Sequence, residues 1–191
     1  LKEEKGNVLY LDIDVLVCRD LTELFRTDLA GRAVGVVFEN FSKPGSHFNE
    51  RLDMPLSCTG YFNSGVLLMD VDVFRQKGLV RAVLDYAVSY RDRLTCPDQD
   101  ALNIVFHDRI SPLPVEWNYH FQFELKKDGL EAAAEGTEFS GISTIYANRS
   151  WKLFHMIGSK KPWLQPEKTE EYLMSTNCLL YTSPSPRDTE R

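Results

Sequence analysis

Short apolar runs recur through the first half of the chain, each followed by polar or glycine-containing residues. Residues 8–11 and 15–17 are apolar on either side of an acidic pair, residues 33–38 are apolar except for Gly35, and residues 65–69 form a further run. Runs this short, bounded by turn-forming residues, favour strands over helices. The pattern predicts three strands, the first of which carries the acidic pair near its carboxyl end.

Helical spacing appears elsewhere in the chain. Apolar side chains recur every three or four positions over residues 79–88, which predicts an amphipathic helix that ends near Arg93. Two shorter helices are predicted, one over residues 20–25, where Asp20 can cap the first turn, and one over residues 97–106.

The remaining pattern completes an α/β arrangement. Two short strands are predicted over residues 110–113 and 151–155, and the Gly-, Pro- and polar-rich residues 40–59 predict a long loop. Strands that alternate with helices indicate a mostly parallel sheet with helices on its faces.

The length of 191 residues suits one domain, and the composition excludes some kinds of partner. The 191 residues carry a formal net charge of −6, and no basic stripe is present to meet a phosphate backbone, so nucleic acid is not an expected partner. Membrane association is not visible either, because no apolar run approaches the roughly 18 residues of a spanning helix. Four cysteines without CxxC spacing predict reduced thiols rather than a zinc site or a disulfide framework.

The two ends of the chain differ from the rest. The first predicted strand begins within a few residues of Leu1, so residues 1–176 are expected to form a partial domain that lacks its first strand and loop. Residues 177–191 have neither a helical nor a strand period and are interpreted as a non-native tail, with a native disordered Ser/Pro tail as the alternative.

Asp12 and Asp14 are the clearest candidates for chemistry. Side chains two residues apart in a strand point to the same face, so both carboxylates are expected to project together while Ile13 points into the core. Adjacent carboxylates repel one another unless a cation lies between them. The pair therefore predicts a divalent metal site.

A second candidate group follows the last predicted strand. His155 leaves the strand, Gly158 comes three residues later and Lys161 six residues later. An imidazole could bind the metal, a glycine could offer an unobstructed backbone N–H, and a lysine could offer a charge to phosphate. Oxygen ligands with one imidazole suit Mn²⁺, with Mg²⁺ and Co²⁺ as alternatives.

Four segments taken together resemble glycosyltransferase family 8. They are residues 9–17, 61–68, 98–103 and 155–163, and they occur in the order that the family shows. The resemblance implies an α/β fold of the GT-A (Rossmann-like) type, incomplete here at its amino terminus. It also implies Mn²⁺, a nucleotide-sugar donor (usually a UDP-sugar), a carbohydrate or other hydroxyl acceptor, and retention of the anomeric configuration.

The resemblance also implies a role for each matching residue. The metal ligands would be Asp12, Asp14 and His155, and the residues at the anomeric carbon would be Asp98 and Gln99. Glu39 falls near an acceptor-binding acid, which is a weaker match. The donor-binding residues would be Ile13, Asn63, Ser64, Gly65, Gly158 and Lys161.

Structural alternatives exist for several of these residues. Asp12 and Asp14 could cap the turn that follows them without metal, and Asn63 could be a turn residue. Asp98 could favour a helix amino terminus through the helix dipole. A second acidic pair, Asp70 and Asp72, is predicted to cap a helix that begins near residue 73 rather than to bind metal.

Two other classes of protein fit part of the pattern. Phosphatases of the haloacid dehalogenase type also carry DxD after an apolar strand, but they need a small or hydroxyl residue where Leu16 stands. The other class is a non-catalytic sugar-nucleotide-binding remnant that keeps the site without closing on a donor.

Overall fold

The computed structural model describes residues 5–40, 52, 60–120, 145 and 148–157. The predicted loop over residues 40–59 lies almost entirely outside this set, as do Gly158, Lys161 and the tail from residue 177. The predictions for these segments and for the domain boundary therefore stay predictions.

Eight short strands and four α-helices make up the described chain. The strands are β1 (Asn7–Leu11), β2 (Val15–Val17), β3 (Val34–Val36), β4 (Phe38–Asn40), β5 (Tyr61–Phe62), β6 (Val66–Asp70), β7 (Ile110–Pro112) and β8 (Leu153–His155). The helices are α1 (Thr22–Phe25), α2 (Val71–Gln76), α3 (Leu79–Ser89) and α4 (Pro97–Phe106), with 3-10 turns at Arg91–Arg93 and Val115–Asn118. None of these helices is both long and apolar enough to cross a membrane.

The main sheet is mixed rather than mostly parallel. Its strand order is β1-β6-β3-β7, with β6 antiparallel to both β1 and β3, and β3 parallel to β7. The prediction of a mostly parallel sheet was wrong for β6, because alternation of strands and helices does not reveal the direction in which an individual strand enters the sheet.

Two further strand pairs flank this sheet. In the first, β2 pairs antiparallel with β8, with Val15 opposite His155. In the second, β4 pairs antiparallel with β5. Residues 33–38 were predicted as one strand, but the chain leaves the main sheet at Val37, so that β3 and β4 belong to different sheets.

The core lies along the fully buried strand β3 and the buried start of β6. Large side chains with at most 2% exposure fill it, among them Phe62, Phe106, Trp117 and Tyr119. Tyr119 and Trp151 stack with ring centroids 5.2 Å apart, beneath β8. Within the described residues, Cys18 is buried, Cys96 is exposed, and neither forms a disulfide.

The amphipathic helix is shorter and less covered than the pattern predicts. It ends at Ser89, and only Leu79 is fully buried. Val80, Leu84 and Val88 are 61%, 57% and 74% exposed, so one apolar stripe of α3 faces outward.

Two acidic residues have structural roles, each as a backbone acceptor. Asp70 caps α2 by accepting hydrogen bonds from the N–H groups of Asp72 and Val73, which confirms the capping prediction for this second pair. Asp100, in α4, is fully buried and accepts from the Tyr61 hydroxyl at 2.5 Å and from the N–H groups of Thr95 and Cys96. Burial and the bond to Asp100 raise the pKa of Tyr61.

We expect Asp100→Ala to destabilise the fold strongly. The substitution leaves the buried Tyr61 hydroxyl and two partly buried N–H groups at the α4 entry without an acceptor, which should lower the free energy of unfolding by about 2–4 kcal/mol in urea denaturation. Asp85→Ala, which removes an exposed ion-pair partner on α3, is the matched control and should leave the midpoint nearly unchanged. Equal effects of the two substitutions would contradict the anchoring role of Asp100.

Candidate active site

The acidic pair lies in a tight turn between β1 and β2. The N–H of Asp12 donates to the Gly65 carbonyl at 2.8 Å, and the N–H of Val15 donates to the Asp12 carbonyl at 3.1 Å. Ile13 at the tip of the turn is fully exposed (102%), so the prediction that it points into the core was wrong. The alternation of side chains that holds within a strand does not apply once the chain turns.

Both carboxylates nevertheless converge on one imidazole. Pairing of β2 with β8 puts His155 opposite Val15, and the N–H of Met156 donates to the Asp14 carbonyl at 3.0 Å. As a result, Nε2 of His155 lies 3.7 Å from Oδ2 of Asp12 and 3.3 Å from Oδ1 of Asp14.

These three residues fit a hard divalent cation. One ligand atom from each lies within 4.8 Å of the other two. Ligands bound at about 2.1 Å and at right angles to one another are roughly 3 Å apart, so little movement would be needed to close around an ion. Asp12 remains about a third exposed while His155 is buried, which leaves an open side toward solvent.

The backbone of Gly65 lies directly against Asp12 and His155. A Cβ atom placed on Gly65 would lie 2.1 Å from Cε1 of His155 and 2.8 Å from Oδ2 of Asp12. Contacts this short do not occur, and the nearest atoms belong to a buried ring, so only glycine lets the backbone come this close. The structure therefore places Gly65 against the ligands themselves.

Tyr10 holds the second oxygen of Asp12. Its hydroxyl donates to Oδ1 at 2.7 Å, while Oδ2 faces His155. This bond, with burial and the charges of Asp12, Asp98 and Asp14, raises the pKa of Tyr10 to about 12. Tyr10 lies on β1, two residues before Asp12, a spacing from which the sequence could have indicated it.

The other predicted donor residues cluster around Gln99. Its Oε1 accepts from the N–H of Ser64 at 3.0 Å and from Nδ2 of Asn63 at 3.2 Å, while its Nε2 donates to Oε2 of Glu39 at 3.4 Å. Asp98 is exposed in the first turn of α4, next to Gln99. The structure thus brings Gln99, Asn63, Ser64 and Glu39 into contact.

Asn118 is a site residue that sequence reasoning missed. It is fully buried, and its side chain lies between His155 and Asn63, 2.9 Å from each. The only signal was a short amide side chain between Trp117 and Tyr119, where an apolar residue would be expected in a buried turn.

Comparison with known proteins places the chain in a family. The model of glycosyl transferase family 8 matches residues 1–167, which is most of the chain. The chain belongs to glycosyl transferase family 8.

Two curated relatives are longer than this chain. General stress protein A of Bacillus subtilis strain 168 is 29% identical over 168 residues, which cover 85% of this chain and 55% of that protein. Lipopolysaccharide 1,2-glucosyltransferase of Escherichia coli strain K12 is 30% identical over 158 residues, covering 82% of this chain and 44% of that protein. The chain therefore spans about half the length of these two relatives.

Solved structures show the same fold. The galactosyltransferase LgtC in complex with donor and acceptor sugar analogs superposes with a TM-score of 0.68 at 24% identity, over 97% of this chain and 64% of that one. GlyE of Streptococcus pneumoniae TIGR4 gives a TM-score of 0.60 at 25% identity, over 85% and 36%. The predicted GT-A fold is confirmed.

We expect Gly65→Ala to weaken the binding of a divalent cation by Asp12, Asp14 and His155. The added methyl group must displace His155 or Asp12, so affinity for Mn²⁺ measured by calorimetry should fall more than 10-fold. Gly78→Ala is the matched control, because Gly78 has a φ of 61° and nothing near its Cβ position. That variant should lose about 1–2 kcal/mol of stability but keep its affinity. Equal affinity in both variants would contradict the role assigned to Gly65.

Proposed function

We propose that this protein is a Mn²⁺-dependent retaining hexosyltransferase that uses a UDP-sugar donor and a carbohydrate or other hydroxyl acceptor. The observation that carries the proposal is the convergence of Asp12, Asp14 and His155 within 4.8 Å. Membership in family 8 supports the transferase over the phosphatase interpretation. Two similar proteins, a lipopolysaccharide glucosyltransferase and a galactosyltransferase in complex with donor and acceptor sugar analogs, agree with a sugar donor and a sugar acceptor.

The reaction moves one sugar between two oxygen atoms. The bond between the anomeric carbon and the β-phosphate oxygen breaks, its electron pair leaves with UDP, and the acceptor oxygen forms the new glycosidic bond. The proton of the acceptor hydroxyl appears among the products. A bound divalent cation would supply positive charge to the departing diphosphate.

The residues of the chain bind and orient the reactants. Asp12, Asp14 and His155 would hold the cation. The ribose of the donor would lie beside the backbone at Ile13. Gly158 and Lys161 would contact the diphosphate, as the family resemblance implies. Positive charge that develops at the anomeric carbon calls for a nearby oxygen, which Asp98 or Gln99 would supply as nucleophile or as electrostatic partner.

The arrangement around Gln99 supports a fixed position for that oxygen. Its Oε1 is held by the backbone N–H of Ser64, so the side chain need not reorganise during the reaction. Asp98, the residue before Gln99, adds a solvent-exposed carboxylate. Its negative charge is one of the causes of the raised pKa of Tyr10. Ser64, whose N–H holds the amide of Gln99, directly precedes Gly65, whose backbone approaches Asp12 and His155.

We expect the affinity for UDP to depend on Mn²⁺. Calorimetric titration of the protein with UDP should show binding with Mn²⁺ and a loss of at least 10-fold after chelation, because the diphosphate would bind mainly through the cation. Asp14→Ala should abolish the metal-dependent part, whereas Asp28→Ala, on an exposed loop, should not change it. Equal UDP affinity with and without Mn²⁺ would rule out the proposal.

We further expect the protein to hydrolyse a UDP-sugar slowly when no acceptor is present. With UDP-α-glucose or UDP-α-galactose and Mn²⁺, proton NMR should show the α-anomer of the free hexose first, before mutarotation, if configuration is retained. p-Nitrophenyl phosphate should give no phosphate release. A β-anomer formed first would contradict retention, and metal-dependent ester hydrolysis would favour a phosphatase.

A further inference from the structure

One chain of hydrogen bonds runs from the candidate metal site into the core. It links Nδ1 of His155 to Oδ1 of Asn118 at 2.9 Å, Nδ2 of Asn118 to Oδ1 of Asn63 at 2.9 Å, and Nδ2 of Asn63 to Oε1 of Glu39 at 2.8 Å. His155, Asn118 and Asn63 are all at least nine-tenths buried. Buried amides without partners are costly, so the order of donors and acceptors along this chain must be consistent from end to end.

The direction of the chain is fixed at Asn63. The backbone N–H of Gly65 can only donate, and it lies 2.9 Å from Oδ1 of Asn63. On the other side, Nδ2 of Asn63 faces Oε1 of Glu39 and Oε1 of Gln99, both acceptors. Both oxygen lone pairs and both N–H bonds of Asn63 are therefore used within the protein, and reversing its amide would break all four interactions.

This orientation determines the proton on His155. Because Oδ1 of Asn63 accepts, the group of Asn118 that faces it must be the NH₂. The carbonyl oxygen of Asn118 then faces Nδ1 of His155, which must carry a hydrogen. When the imidazole is neutral, Nε2 then presents its lone pair toward Asp12 and Asp14, the orientation in which imidazole binds a metal.

We propose that Asn118 is a positioning residue that, aligned by Asn63 and Glu39, holds His155 in the metal-binding tautomer. Without an acceptor at Nδ1, a neutral imidazole would instead place its hydrogen on Nε2, where two carboxylates accept it. That tautomer has no lone pair for a cation. The inference rests on the proposed metal site, and it assigns Asn63 to alignment of this chain in addition to any contact with the donor.

Three variants test the proposal with Mn²⁺ alone as the ligand. Asn118→Leu keeps the size of the side chain but removes the acceptor, and we expect calorimetry to show a 10- to 100-fold loss of Mn²⁺ affinity. Asn118→Asp keeps an acceptor at Nδ1 but puts an oxygen in place of the NH₂ that faces Oδ1 of Asn63, so it should lower stability while it retains affinity within a few-fold. Asn7→Leu, which removes two hydrogen bonds to backbone carbonyls near α1, should lower stability without changing affinity.

Nitrogen NMR shows which nitrogen of His155 carries the hydrogen, and a purely structural role of Asn118 would not change that position. In metal-free protein at a pH where free imidazole is neutral, long-range ¹H–¹⁵N correlation should show a hydrogen on Nδ1 of His155 in the wild type and in Asn118→Asp. In Asn118→Leu the hydrogen should move to Nε2. The His155 signals are identified by their loss in His155→Gln.

The outcomes separate this inference from the proposed function. Wild-type protein without Mn²⁺ affinity would overturn the metal site itself. Wild-type affinity retained in folded Asn118→Leu would overturn only the role of Asn118. If Asn118→Leu does not fold, a wild-type Nδ1 that carries no hydrogen overturns the inference directly, and a hydrogen on Nδ1 in both the wild type and Asn118→Asp supports it.

Discussion

The candidate site depends on the pairing of two three-residue strands that are far apart in the chain. Pairing of β2 with β8 brings His155 beside the turn that carries Asp12 and Asp14. Strand pairing fixes register to one residue, since a slip by one position would turn the imidazole to the opposite face. The close approach of Gly65 then limits the imidazole to one location.

Acidic residues in this fold differ in role because of the groups that surround them. Asp70 and Asp100 face backbone N–H groups or a hydroxyl, so the protein itself satisfies their oxygens. Asp12 and Asp14 face one another's charge and the nitrogen of a buried imidazole. A cation is the partner that would interact favourably with both carboxylates and the imidazole at once. Asp70 and Asp100, whose carboxylates accept hydrogen bonds from the protein, do not need such a partner.

The buried amides beside the site form a second level of organisation. Gln99 and Asn63 converge on Glu39, and Asn118 extends the network to His155. Polar groups in a core narrow the set of compatible arrangements, because a reversed amide leaves several donors and acceptors unpaired. In this fold the network constrains how the amides of Asn63 and Asn118 are oriented beside the candidate site, in addition to its effect on stability.

Local sequence determined the helix at 97–106, the cap at Asp70 and the acidic pair of the candidate site, because spacing, capping and side-chain chemistry act over a few residues. It also indicated the family, since four motifs in order carried that signal. Only the tertiary structure decided the reversed direction of β6, the outward Ile13 and the place of Asn118. Each of these features depends on contacts with a segment that is distant in the chain. A local sequence pattern does not specify those contacts, so it cannot predict how a turn or a buried amide is oriented.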